Sequence, residues 1–234
     1  MIDISTLTES QQVALIDNRW QESSSLWEQL AANYKANKRI WQNNPEWLER
    51  IPNNRSKARD NRTFLATESV INSLIGKPSK PVVIPANDTD EAMVIADNLQ
   101  DFVLAKYRDL GMKGKFRRGL RYLFFSRLVV FKVFWDNEKD DFDTLPVDPR
   151  NVRFSKKSTS MYDTEFAIEL IPDTPLKKLV ELFPEKKAEI LKESGYTEEQ
   201  MLVDNPHVEY KECWIGDHIM WEFNGVILEV KKHP

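Results

Sequence analysis

The chain changes its hydrophobic period at Leu128, and that switch constrains its fold more than any other feature. Upstream, apolar residues recur at helical spacing. Ala92, Ile95, Leu99, Phe102, Val103, Tyr107 and Leu110 form one stripe, which predicts a helix from Asp88 to about Gly111. Asp88 followed by Glu91 matches a capping box at its start. A second helix is expected from Gly114 to about Arg127, with Phe116, Leu120, Leu123 and Phe124 inward. From Leu128 the sequence VVFKVFWD is β-branched and aromatic, and it predicts a strand. Helices followed by strands indicate the α+β class, with N-terminal helices packed with a mainly antiparallel mixed sheet.

Residues 1–50 read as a polar, helical lead-in. Leu7, Val13, Leu15, Ile16 and Trp20 give an irregular apolar face, continued by Leu26, Trp27, Leu30, Tyr34, Ile40 and Trp41. The stretch QESSS at 21–25 interrupts it. Trp20, Trp27, Trp41 and Trp47 serve either core packing or docking onto a neighbouring subunit. Asn43-Asn44-Pro45 and Ile51-Pro52-Asn53-Asn54 are turn signals, and we place the end of a helical arm at residue 54. Residues 55–234 are expected to form a further α+β region. Phe64, Leu65, Val70, Ile71, Leu74 and Ile75 predict a helix over 60–75, stopped by Gly76 and Pro78. PVVIP at 81–85 is an extended segment whose prolines disfavour central sheet pairing.

Beyond the first strand, residues 137–143 read as a charged turn and Leu145–Phe154 as extended chain limited by Pro146 and Pro149. Glu165–Ile171 alternates as a strand. Thr174-Pro175 matches a threonine cap with proline at the first helical position, so a helix is expected over 175–183. A charged helix follows over 185–194, closed by Gly195. Residues 207–231 predict a meander with Tyr210, Trp214, Ile219, Trp221, Phe223, Ile227 and Val230 as its apolar positions. Asn224-Gly225 marks a hairpin within it.

Composition limits the chemistry. A hydrophobic share of 41% supports a packed core. Only 7 glycines in 234 residues argue against a phosphate-cradling loop, and Gly111-Met112-Lys113-Gly114-Lys115 lacks the spacing of one. Cys213 is the single cysteine, so neither an internal disulfide nor a thiolate metal cage is available. No apolar run reaches the ~20 residues of a membrane helix. The opening MIDISTLTES lacks the basic and then apolar pattern of a signal peptide. A soluble protein made in a cytoplasm, without membrane contact, is expected.

A catalytic constellation does not assemble from the sequence. His207, His218 and His233 have no helical partner of the zinc-protease kind and read as surface or strand histidines. Asp136, Glu138, Asp140, Asp141 and Asp143 do not match a calcium loop, because the glycine and terminal glutamate fall out of place. We expect no enzyme, no cofactor and no metal. The formal net charge of −4 neither requires nor excludes nucleic acid. One basic cluster stands out: Lys113, Lys115, Arg117, Arg118, Arg121 and Arg127. Lys113, Arg117 and Arg121 share a face at four-residue spacing. The cluster is a candidate DNA or subunit-interface patch, with a solvated helix face as the other reading.

Four ordered blocks resemble the portal proteins of tailed double-stranded-DNA bacteriophages, notably the podovirus type. They are Asn61–Phe64 through Leu74–Pro78 with PVVIPA; the two helices over 90–127 leading into LVVFKVFWD; LPVDPRNVRFSKKSTSMYDTEFAIELIPDTPLKKLVELFP; and VEYKECWI with the meander to KKHP. The resemblance covers roughly 55–234 and implies the wing region of a structural ring subunit, usually in twelve copies, at a capsid vertex of the virion. The ring would serve as conduit for genome packaging and ejection. Its implied partners are further copies of itself, the terminase large subunit, a head–tail connector or adaptor protein, the major capsid protein and double-stranded DNA in the channel. Stem, clip and crown follow the wing in that family, so a partial chain is expected. Two other readings stand beside it. One is a metal-dependent nucleic-acid-processing enzyme using Asp136, Asp140 and Asp148 with the basic helix. The other is a small adaptor or scaffold-like module.

Overall fold

The computed structural model describes residues 4–44, 49–52, 60–76, 81–136, 139–158 and 163–232. The expectations for Pro45, Trp47, Asn53, Asn54, Pro78, Glu138 and His233, and the division after residue 54, lie outside the described residues. The helices are α1 (Glu9–Glu22), α2 (Ser24–Trp41), α3 (Arg62–Gly76), α4 (Asp90–Asp109), α5 (Met112–Ser126), α6 (Leu176–Leu182), α7 (Lys187–Ser194) and α8 (Glu198–Asp204). The strands are β1 (Val130–Asp136), β2 (Asp141–Val147), β3 (Val152–Phe154), β4 (Phe166–Pro175), β5 (His207–Ile215), β6 (His218–Phe223) and β7 (Val226–Lys232). The fold is α+β, and every strand pairing among the described residues is antiparallel. No described helix is long and apolar enough to cross a membrane. The chain divides into two compact units, 1–30 with 150–234, and 31–149.

The first unit is built on a five-stranded sheet in the order β3-β4-β5-β6-β7. Alternation along the strands sends side chains to two faces. On one face Phe166, Ile168, Cys213, Met220 and Ile227 pack with Ile4 and with Ile16 of α1. On the other, Tyr210, Phe223 and Leu228 pack with Leu176, Leu179, Ile190 and Met201 of α6, α7 and α8. Helix α1 begins at a capping box in which Thr8 and Gln11 satisfy each other's backbone amides. It ends at the predicted break, where the Ser23 hydroxyl donates to the Trp20 carbonyl at 3.0 Å. Trp20 carries the Arg153 guanidinium 3.7 Å from its ring centre, and Arg153 also donates to the Trp20 carbonyl at 2.8 Å. Lys211 bonds to Glu222 at 2.9 Å and Asp17 at 3.2 Å, which ties α1 to the sheet. Asn224 and Gly225 adopt positive φ, at 46° and 86°, as the tight hairpin between β6 and β7 requires.

Several expectations for this unit change. No threonine cap opens α6: β4 runs on to Pro175, Thr174 pairs with Val208, and α6 starts at Leu176. Proline is tolerated there because β3 covers β4 only over Ala167–Glu169, leaving the far end of β4 as an edge. Helix α8 lies where no element is expected from the sequence. Its signal is Thr197 with Gln200, a second capping box. In the meander, Tyr210, Phe223 and Ile227 are buried as expected, whereas Trp214, Ile219, Trp221 and Val230 are half-buried. Cys213, Met220 and Leu228 fill the core in their place.

The second unit centres on aromatic contacts. Tyr34 and Trp41 of α2 lie 5.4 Å and 5.6 Å from Phe125 of α5, and Trp41 lies 5.1 Å from Phe64 of α3. Strands β1 and β2 form a two-stranded ribbon. Gly119 of α5 sits so close to it that a Cβ there would lie 2.7 Å from the Phe131 ring. Helix α4 is capped by Thr89, whose hydroxyl accepts from the Ala92 amide at 3.3 Å, and not by Asp88. Helix α5 starts at Met112, two residues before the expected Gly114. Its buried positions are Gly119, Phe125 and Ser126, whereas Phe116, Leu123 and Phe124 are more than a third exposed. The charged turn narrows to the residues before Asp141, since β2 pairs with β1 from Asp141 onward.

Candidate interaction surface

The six basic residues of α5 and its C-terminus divide into two groups. Arg121 donates through Nε and Nη2 to both carboxylate oxygens of Glu68, each at 2.8 Å. Arg117 donates to the Asn72 side chain at 2.8 Å. Glu68 and Asn72 lie on α3, so Arg117 and Arg121 both reach a neighbouring helix, Arg121 half-buried and Arg117 exposed. The bidentate Arg121 contact holds the Glu68 carboxyl below its ordinary range. Lys115 bonds to Asp143 of β2. The remaining cations, Lys113, Arg118 and Arg127, are exposed and make no ion pair among the described residues.

The acidic residues of the hairpin between β1 and β2 are matched by lysines. Lys139 bonds to Asp136 at 2.9 Å and Asp143 at 3.0 Å, and Lys106 of α4 bonds to Asp141. Lys115 and then Lys139 draw the Asp143 carboxyl well below the usual range, and Lys106 lowers that of Asp141. Among the described residues no three His, Cys, Asp or Glu side chains converge on a metal-sized space. Asp136, Asp140 and Asp148 are therefore not brought together as a metal site.

In the first unit, an open cleft of about 390 Å³ is lined by Asp173, Ser194, His207, Glu209 and Asn224 among others. Asp173 has φ +58° at a bulge in β4, and its carboxylate lies 2.7 Å from Nδ1 of His207. A nucleophile would complete a hydrolytic arrangement. The Ser194 hydroxyl instead donates to the Leu191 carbonyl at 3.0 Å, as a helix-end contact. His218 is buried in β6.

What distinguishes the second unit is its apolar surface. Among the described residues it buries six hydrophobic side chains and leaves seventeen large ones more than a third exposed; the first unit buries twenty and leaves five. The α4 stripe contributes to this, with Ile95, Leu99 and Phe102 about half exposed and only Ala96 buried. Helical spacing reports that a stripe exists, not what covers it. Val82 and Ile84 in the extended segment are 75% and 81% exposed. Ile95, Leu99 and Phe102 share one face of α4, and an exposed apolar stripe is a feature that interaction sites present. No known protein family and no curated protein matches the chain.

Proposed function

We propose that the chain is a structural subunit of a phage portal ring at a capsid vertex, with its second unit as the assembling part and no catalytic role of its own. The observation that carries this reading is the inverted distribution of apolar side chains in residues 31–149, where exposed ones far outnumber buried ones. A unit of that kind gains its missing core from other chains. The ordered sequence blocks that resemble portal wings supply the identity of the assembly. In the virion the ring would contact the terminase large subunit, a connector protein and the major capsid protein, and pass double-stranded DNA. Of the six basic residues, Lys113, Arg118 and Arg127, which make no ion pair among the described residues, would meet an acidic neighbour or DNA. Arg117, Arg121 and Lys115 act within the subunit.

Particle imaging of the purified chain at high concentration tests the reading. Rings with a central hole are expected. Monomers throughout would contradict it.

A further inference from the structure

Helices α1 and α2 are separated by one residue, Ser23, which keeps right-handed helical backbone at φ −88° and ψ −7°. The Trp27 amide donates to the Ser23 carbonyl at 3.1 Å, the pairing of unbroken helix. The interruption is thus a kink in one helix and not a loop between two. At the kink the Trp20 carbonyl has left the helical ladder, in which it would accept from the Ser24 amide, and no backbone amide bonds to it among the described residues. It accepts instead from the Ser23 hydroxyl at 3.0 Å, the Ser24 hydroxyl at 3.1 Å and Nη1 of Arg153 at 2.8 Å. The same Nη1 donates to the Ser24 hydroxyl at 2.7 Å. Side chains inserted into the ladder in this way kink helices sharply.

Arg153 lies on β3, so the sheet of the first unit holds the kink. Helix α1 itself is lightly attached. Ile16 is its buried apolar side chain and Gln12 its buried polar one. At its rim Glu9 pairs with Lys186 at 3.5 Å, Asp17 with Lys211 at 3.2 Å and Arg19 with Glu165 at 3.5 Å, and each pair includes an exposed carboxylate. Exposed pairs stabilise little. The Ile227 amide of β7 donates to the Glu9 carboxylate at 3.1 Å, outside the strand ladder. Strands β4, β5, β6 and β7 pair with one another and take no ladder bond from α1.

We propose that the Trp20–Ser24 kink is a hinge and Arg153 its latch, so that α1 swings off the sheet as a body while the strands stay paired. The hinge needs only this chain and operates with or without a ring. When Arg153 lets go, the Trp20 carbonyl regains the Ser24 amide and α1 continues into α2 as one helix. That recovered hydrogen bond offsets part of the contacts given up. Opening also uncovers Ile16 and, packed against it, Ile168, Met220 and Ile227, which makes the bent state the resting one. Hinges are commonly a few residues at the ends of elements, and local openings lie below global unfolding in free energy. The first unit, which otherwise encloses its core, thereby gains a second state in which one face of its sheet is reachable.

Hydrogen exchange of the full chain carrying Arg153→Met reads the latch. Methionine removes both hydrogen bonds and keeps an apolar stem over Trp20. The Ile227 amide, which the Glu9 carboxylate holds, should exchange about tenfold faster or more than in the parent chain. The β4, β5 and β6 amides should exchange as before, and the helical circular dichroism signal should not fall. A Ser23→Ala/Ser24→Ala variant, which removes the hydroxyls that compete with the helical bond, should shift the same amide in the same direction, and it serves if Arg153→Met does not fold. An unchanged Ile227 amide shows that the kink has no latch. Faster exchange throughout β4, β5 and β6 shows that α1 and the sheet open only together, and a loss of helical signal shows that α1 melts instead of swinging. Each of these three results overturns the hinge.

Discussion

Glu68 and Arg121 show how a residue's role can differ from its sequence appearance. Arg121 belongs to a basic run and reads as part of a patch. Its partner lies on another helix, 53 positions earlier, and spacing along α5 could not reveal it. The pair is bidentate and Glu68 is largely sheltered, so it exceeds an ordinary surface ion pair in value. The Glu68 carboxyl is held below its ordinary value of 4.5, chiefly by Arg121. A lowered folded pKa contributes stability that is present above the unfolded pKa and lost as pH falls through the folded one. Glu68→Gln should therefore cost about 1 kcal/mol at pH 7. That cost should shrink as pH falls below about 4.5, in urea titrations across pH. A cost that stays constant to pH 3 would show that the contact is steric and not ionic. Lys113, Arg118 and Arg127 looked the same in sequence and turn out to be the members that make no ion pair or side-chain hydrogen bond among the described residues. The difference between them is tertiary, which is why no residue-level pattern separated them.

Elements were legible where local chemistry alone decides them. The break between α1 and α2, the period switch before β1 and the Asn224-Gly225 hairpin all follow from short-range signals. The end of β4 did not, because whether Thr174-Pro175 caps a helix or closes a strand depends on β5 alongside it and on how far β3 extends. Burial along α5 was not legible either, since an apolar stripe carries no information about its cover. Helix α8 is the opposite case: Thr197 and Gln200 are a local start signal, followed by a helix of only 7 residues. That capping box gives an element-scale test. Thr197→Ala should destabilise the first unit by about 1 kcal/mol, whereas Thr197→Ser should stay within a few tenths. Equal unfolding midpoints for Thr197→Ala and the parent chain would remove the cap from the account of α8, whose Met201 is buried in the helical face of that unit's core.

The two units have complementary characters, and this is the basis for the functional reading. Residues 1–30 with 150–234 enclose their own core on both faces of a meander. Residues 31–149 leave most of their large apolar side chains outside. The α+β class and the order of elements were readable from the sequence, but this asymmetry was not, because it appears only when burial is known position by position. It moves the candidate site from a basic stripe on α5 to the exposed apolar side chains of residues 31–149. The mass distribution of the chain in solution over a wide concentration range tests the central claim most directly. The account predicts one discrete closed species near twelve times the 27.4 kDa chain mass, growing at the expense of monomer as concentration rises. A single 27.4 kDa species at every concentration would contradict it.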